Sequence, residues 1–256
     1  MIHPSAIVHP GAKLAPQVAI GAFSIIGEGV ELGEGTWVGS HVVLEGRTRI
    51  GAHNRIFQFA SIGAEPQDKK YRGEETAVQI GDGNTLREYV TINRGTSLDA
   101  GVTRIGSDNW IMAYVHIAHD CQIGSHTILA NACQLAGHVH VGDWAILGAT
   151  TLVHQFVHIG EHSFTGMGTY LPQDLPPYVM AAGNTAIPRG LNSEGLRRRG
   201  FSAAAIAGLK RAYRTLYRSG LSLTEAVGEL ESQAQNCLEV RLLLQFLADS
   251  KRGLIR

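Results

Sequence analysis

An aliphatic residue returns at every sixth position along most of this 256-residue chain. The series runs Ile2, Val8, Leu14, Ile20, Ile26, Leu32, Val38, Leu44, Ile50, Ile56, Ile62. It resumes at Ile80, Leu86 and Ile92, and again from Ile105 through Ile111, Ile117, Ile123, Leu129, Leu135, Val141, Leu147 and Val153 to Ile159. Thr165 breaks it and Leu171 restores it. Two positions earlier stands a small or β-branched residue such as Ser24, Thr36, Ala60, Cys121, Cys133 or Thr151, and one position later often a glycine, as at Gly21, Gly33, Gly106 and Gly142. Period six suits neither a helix nor an alternating strand. It is the signature of a parallel β-helix built from hexapeptides, three hexads to a triangular coil. The aliphatic residue then points into the prism and the small one fills the space beside it. Glycine is expected to follow because the corner needs backbone angles that cost a Cβ-bearing residue energy.

Two stretches break the pattern. Between Ile62 and Ile80 the phase is kept, but Asp68 and Glu74 fall at inward positions that an aliphatic prism does not bury, so a loop is expected near 63–79. Between Ile92 and Ile105 there is one residue too many, which places a second loop near 93–104. Loops on a rigid scaffold are where sites are commonly built. After Pro188 the pattern becomes helical. Ile206, Leu209, Tyr213, Leu216 and Tyr217 share one face, Gly220 can stop that helix, Ser222 and Glu225 form a capping box, and Leu238, Leu242, Leu243, Phe246 and Leu247 suggest a third helix. The reading is a β-helix domain over 1–188 and a small helical domain over 189–256 that covers the last open coil.

Formal net charge is zero, which argues against a general nucleic-acid binder. Three cysteines (Cys121, Cys133, Cys237) make neither a disulfide framework nor a paired metal motif and fit a reducing compartment. The N-terminus lacks a basic stretch followed by an apolar run, and no apolar stretch is long enough to span a bilayer. A cytoplasmic protein is expected.

Twelve histidines crowd this chain, most between His116 and His162. Residues 18 apart are vertical neighbours on stacked coils, about 4.8 Å apart. His119, Gly137 and Gln155 form one such column, with His138 and His154 beside it. A base, a backbone N–H free of a side chain and an amide thus converge on one edge. A smooth prism has no deep cleft, so the site needs a second wall, from the loop around Asp68 and from a neighbouring prism. His3, His9, His41 and His53 read as surface residues, and Cys121 and Cys133 as core.

The chain also resembles the UDP-N-acetylglucosamine acyltransferases of lipid A biosynthesis. The matching runs are Gln67–Tyr71, Val115–Cys121, Leu135–Val139, Val153–Phe156, Gln173–Tyr178, Asn192–Phe201 and Arg252–Arg256. The resemblance spans the whole chain. It implies a left-handed β-helix, a homotrimer with sites between subunits, and transfer of a 3-hydroxyacyl group from acyl carrier protein to the glucosamine 3-hydroxyl of UDP-N-acetylglucosamine. By the same resemblance His119 is the general base, Asp120 holds its imidazole, and the Gly137 N–H receives the oxyanion. Gln67, Asp68, Lys70, His116, His138, His154 and Gln155 would hold acyl and sugar groups, while Asn192, Glu194, Arg198 and Arg199 would bind uridine and diphosphate. Met167 falls at the family's acyl-chain ruler. Its side chain, where glycine goes with fourteen carbons, implies a chain near ten, because pockets reject methylenes that do not fit. A thioester is reactive enough that no metal or other cofactor is expected. Lys210, Arg211, Arg214 and Arg218 make a basic helical face that could steer the acidic carrier protein.

Three other readings fit parts of the sequence. A zinc-dependent carbonic anhydrase on the same fold would use His116 and His119 with His138 or His140, but leaves Arg198, Arg199 and Gln155 without a purpose. A non-enzymatic scaffold would leave the polar column unused. Acyl transfer to a 3-amino sugar nucleotide keeps the chemistry and changes the acceptor.

Overall fold

The computed structural model describes residues 1–256. The chain winds into a left-handed parallel β-helix with three faces, sheets of nine, eight and ten strands, most of them two residues long. We call these the first, second and third faces. One coil runs through His116–Ile117 on the first, Gln122–Ile123 on the second and Ile128–Leu129 on the third. Neighbouring strands belong to successive coils, so Ile117 pairs with Leu135, Leu135 with Val153, and Val153 with Leu171. The aliphatic column is buried: Ile56, Ile62, Leu86, Ile111, Ile117 and Leu129 are all fully covered. Each such side chain contributes about 1.5–3 kcal/mol on burial. The third sheet ends in an antiparallel hairpin, Val179–Ala182 against Ile187–Leu191.

The small inward position carries a polar ladder that the hexad rule does not anticipate. Buried Asn54 accepts from the Asn84 N–H at 2.9 Å, Asn84 from Asn109 at 2.9 Å, and Asn109 from Thr127 at 2.7 Å. Each amide oxygen thus joins one coil to the next, so these acceptors are buried without being orphaned. Thr165, the break in the aliphatic series, is also buried, and its hydroxyl meets Thr151 Oγ1 at 2.8 Å.

The expected reason for the glycines is corrected by the structure. Left-handed backbone falls at the third residue after the inward aliphatic, and that residue is mostly not glycine: Phe23, His41, Phe59, Tyr114, Asp120, His138 and Phe156 all have φ between 57° and 65°. The N–H of this residue donates to the preceding coil, as His138 does to His119 at 3.0 Å, which offsets the roughly 1–2 kcal/mol that the angle costs. Glycine directly after the aliphatic serves close packing instead. A Cβ on Gly106 would lie 2.7 Å from the carbonyl oxygen of Gly124 on the next coil.

Both excursions leave the first face and return to the second. One lies between Ser61–Ala64 and Ala77–Ile80, the other between Thr91–Asn93 and Val102–Ile105. They are shorter than the spacing suggests because these flanking strands run three or four residues. Both loops therefore stand at the corner that also carries His119.

The C-terminal part holds four helices: α1 (Ser193–Arg198), α2 (Ala203–Arg218), α3 (Leu223–Ala234) and α4 (Val240–Asp249). Ser202 caps α2, Gly220 follows it at φ +75°, and Ser222 with Glu225 closes a capping box on α3. The short α1 is not anticipated by the apolar pattern, and Leu238 is exposed ahead of α4 instead of packing in it. Leu196, Leu209, Leu216, Leu230 and Leu243 form the helical core. Tyr213 and Ile255 join the core of the β-helix, which closes the last coil. No helix is long and apolar enough to cross a membrane.

Gly106→Ala is expected to lose about 1–3 kcal/mol to overpacking, whereas Gly228→Ala, on open surface in α3, should gain roughly 0.5–1 kcal/mol by restricting the unfolded chain. Thermal midpoints of the two variants should move in opposite directions. If Gly106→Ala melts with the parent, the close-packing account of these glycines fails.

Candidate active site

Asp120 is the most firmly held side chain at the loop corner. It stands at φ +59°, a conformation that aspartate tolerates better than most residues, and its side chain is fully covered. Thr96, brought over by the second loop, donates its N–H to the carboxylate at 3.0 Å and its hydroxyl to Oδ2 at 2.7 Å. The Asp120 N–H donates to Thr103 Oγ1 at 2.9 Å. Burial pushes this carboxyl up, but the hydrogen bonds from His119 and Thr96 outweigh it and hold the group below the usual range. An ionised Asp120 only accepts, so His119 Nδ1, 2.9 Å from Oδ2, carries the proton. In the neutral ring this tautomer presents a bare Nε2, the form a general base requires.

Gly137 lies one coil on. A Cβ there would stand 2.7 Å from His119 Nε2, so glycine is the residue that lets the ring sit flat against the next coil. Its N–H has no acceptor within the chain. His138 crosses His119 edge-on, with ring centroids 5.0 Å apart, and stacks on Phe156 at 4.4 Å. Asp68, Lys70, His119, His138 and Gln155 line one cleft of about 660 Å³, together with Leu98, Asp99 and Phe156. His116 and His154 line an adjoining hollow of about 340 Å³ on the first face, with Leu152 and Tyr170. Thr91 Oγ1 meets His116 Nδ1 at 2.8 Å, and burial lowers the pKa of that histidine. Gln67 is exposed and lies outside both linings.

The expected nucleotide ligands lie elsewhere on the same chain. Asn192 is buried as the N-cap of α1, accepting from the Gly195 N–H and donating to the His162 carbonyl at 2.9 Å. Glu194 pairs with Arg197 and Arg198. Arg199 lies over the Trp144 ring, donates to the Trp144 carbonyl at 2.8 Å and keeps a buried Nη1 without a partner. Trp144 and His162 mark the corner between the second and third faces, a different edge from that of His119. Met167 stands in the turn before Tyr170–Leu171, at the corner between the third and first faces, and is 77% exposed. The first face thus runs from the His119 corner to the Met167 corner.

Sequence reasoning missed Thr96, Thr91, Asp99 and Phe156. Thr96 and Asp99 come from the second loop, whose path the repeat does not specify. Phe156 is the one with a signal, since it follows His138 by 18 positions. His119, Asp120 and His138 bring donor atoms within 4.8 Å of one another, the one close group of that kind. The Asp120 carboxylate is already engaged by Thr96 and by His119 Nδ1. A larger hollow of about 880 Å³ follows the second face beside α4, where His140 stacks on His158, but neither imidazole there is held by a carboxylate as His119 is by Asp120.

Residues 174–255 match the family described as UDP N-acetylglucosamine O-acyltransferase, domain 2, and residues 102–137 match the bacterial transferase hexapeptide repeats. An acyl-[acyl-carrier-protein]–UDP-N-acetylglucosamine O-acyltransferase of Thiobacillus denitrificans is 58% identical over 255 residues, covering 100% of this chain and 99% of its own. Among solved structures, the UDP-N-acetylglucosamine O-acyltransferase of Moraxella catarrhalis is 46% identical with a TM-score of 0.98, over 100% of this chain and 99% of that one. The UDP-N-acetylglucosamine acyltransferase of Francisella novicida gives 43% and 0.98, over 100% and 94%.

His162, stacked between Trp144 and Tyr178, yields a pH prediction. Burial, then the Arg199 charge, push its pKa from 6.5 to about 4. The folded state thus resists a proton that the unfolded state takes up. This costs nothing above pH 6.5 and destabilises progressively as pH falls from 6.5 to 4. His162→Phe, which keeps a ring in the stack, should flatten the fall of Tm over that window. Parallel Tm–pH curves for parent and variant would show that His162 does not carry the effect.

Proposed function

The chain belongs to the UDP-N-acetylglucosamine O-acyltransferase family, and from that membership we propose that the loop-corner cleft is its acyl-transfer site, with His119 as the base. The activity is that of the family: an acyl group moves from acyl carrier protein to UDP-N-acetylglucosamine in lipid A synthesis. The observation that carries the assignment is the buried Asp120 on His119 Nδ1 beside the open Gly137 N–H.

His119 Nε2 takes the proton of the glucosamine 3-hydroxyl as its oxygen attacks the thioester carbonyl. Asp120, fixed and negative, favours the imidazolium that forms. The carbonyl oxygen gains the charge and is received by the Gly137 N–H. Collapse of the adduct expels the carrier thiolate, which takes the proton back from His119. No covalent enzyme intermediate, metal or other cofactor is assigned, because a thioester is already an activated acyl donor. Asp68, Lys70, His116, His138, His154 and Gln155 would hold the acyl and sugar groups along the first face. Gln67 belongs to the same segment.

A homotrimer is part of the proposal. Within one chain the α1 residues Asn192, Glu194, Arg198 and Arg199 stand at a different corner from His119. A head-to-tail contact that brings one chain's α1 to the next chain's His119 corner would complete the site, and repeated at a third of a turn such contacts close into a ring of three. The unpartnered Nη1 of Arg199 suits a phosphate oxygen. The exposed Lys210, Arg211, Arg214 and Arg218 of α2 would steer the acidic carrier protein. A cytoplasmic setting accords with three free cysteines.

The acyl chain is proposed to cross the first face and end at Met167. That side chain is 77% exposed in the single chain, so it is not spent on packing between coils and is free to cap a groove. A preference for about ten carbons follows. Offered equal ten-, twelve- and fourteen-carbon 3-hydroxyacyl carrier proteins, the enzyme should form chiefly the ten-carbon ester, and Met167→Gly should shift the product to longer chains. Unchanged selectivity would place the ruler elsewhere. His119→Ala should lower turnover by roughly 10²–10⁴-fold with the assembly intact, and near-normal turnover would remove His119 from the mechanism.

A further inference from the structure

Asp99 belongs to none of the matched motifs, yet it makes one of the two carboxylate–imidazole contacts in the cleft. Its Oδ2 lies 2.7 Å from His138 Nδ1. The loop that carries it is tied down at its start, where the Arg94 guanidinium bonds the Tyr71 hydroxyl at 3.0 Å and the Gly63 carbonyl at 3.0 Å. Two residues on, Thr96 grips Asp120. One loop therefore supplies Asp99 to His138 and, through Thr96, fixes the Asp120 that orients His119. Phe156 fixes the plane of the His138 ring, and Asp99 fixes its rotation within that plane.

We propose that Asp99 is a positioning residue that holds His138 with the proton on Nδ1 and presents a bare Nε2 to the cleft. In that form His138 can only accept at Nε2. It then reads a hydroxyl or amide N–H of the bound acceptor sugar and cannot bind a carbonyl oxygen. The contact lies with substrate and not with the transferred proton, so Asp99 acts on binding. This rests on the reading of the cleft as the acyl-transfer site.

The test uses the full-length chain labelled with ¹⁵N-histidine, alongside steady-state kinetics. Wild type and Asp99→Asn, whose amide oxygen can still accept from Nδ1–H, should both show His138 protonated at Nδ1. Asp99→Ala should show a mixture of tautomers. The alanine variant should raise KM for UDP-N-acetylglucosamine up to about tenfold, the scale of one lost hydrogen bond. Its kcat should change little, the pattern of lost uniform binding, and Asp99→Asn should restore KM. His138 protonated at Nε2 in wild type, an unchanged KM in Asp99→Ala, or a fall in kcat alone would overturn the assignment. If wild type forms no product, the acyl-transfer reading fails, while the nitrogen spectra, taken without substrate, still decide what Asp99 does to His138.

Discussion

The backbone ladder between coils fixes where every other group in this structure can stand. Gly33 donates to Ile50, Gly106 to Ile123 and Gly142 to Ile159, each to the carbonyl of the coil that follows. That register stacks residues of equal phase about 4.8 Å apart, within the roughly 4.5–7 Å centroid separation at which offset aromatic rings pair. Corner positions consequently become columns. Phe23, His41, Phe59, Tyr89 and Tyr114 stack along the corner between the third and first faces. His126, Trp144, His162 and Tyr178 stack along the corner between the second and third. A planar side chain suits a corner because its neighbour above is always parallel and always near.

The same register explains why chemistry gathers at one edge. The hexad confines side chains to inward positions, where polar atoms need a ladder such as the Asn54–Asn84–Asn109 series, and to outward ones, which meet water. Neither environment orients a base. Along the coils themselves, residues that leave the prism can cover an outward position. Both excursions do so at the same corner, and there Asp120 gains Thr96 and His138 gains Asp99 from outside their own coils.

This decides how much was legible in advance. The aliphatic series specifies the coil, and eighteen-residue spacing puts His119 under Gly137 and beside His138 without any structure in view. The capping box at Ser222 is equally local. What the series does not contain is the path of the loops, so Thr96 and Asp99 are invisible as partners of residues 24 and 39 positions away. The glycines were seen and their cause mistaken. Spacing reveals that position 106 is special but not whether a φ angle or a neighbouring backbone makes it so. The separation of the α1 arginines from His119 is likewise hidden, because the motifs that carry them do not say which corner of the prism each will occupy.

Asp108 shows what the second loop adds to Asp120. Both aspartates sit at left-handed corner positions, with φ of 58° and 59°, and both have a histidine nearby. Asp108 has no loop over it. Its side chain is 59% exposed and its nearest approach to His126 is 3.8 Å, a distance at which water competes for both groups and the pair is worth little. Asp120 is fully covered and lies 2.9 Å from His119, with Thr96 and Thr103 holding its remaining polar groups. Burying a carboxylate is unfavourable unless its hydrogen bonds are supplied. The loop supplies them from one threonine and thereby turns an ordinary corner aspartate into a fixed negative charge that selects one histidine tautomer. The capacity of this edge to hold an oriented imidazole therefore resides in the inserted loop as much as in the histidine itself.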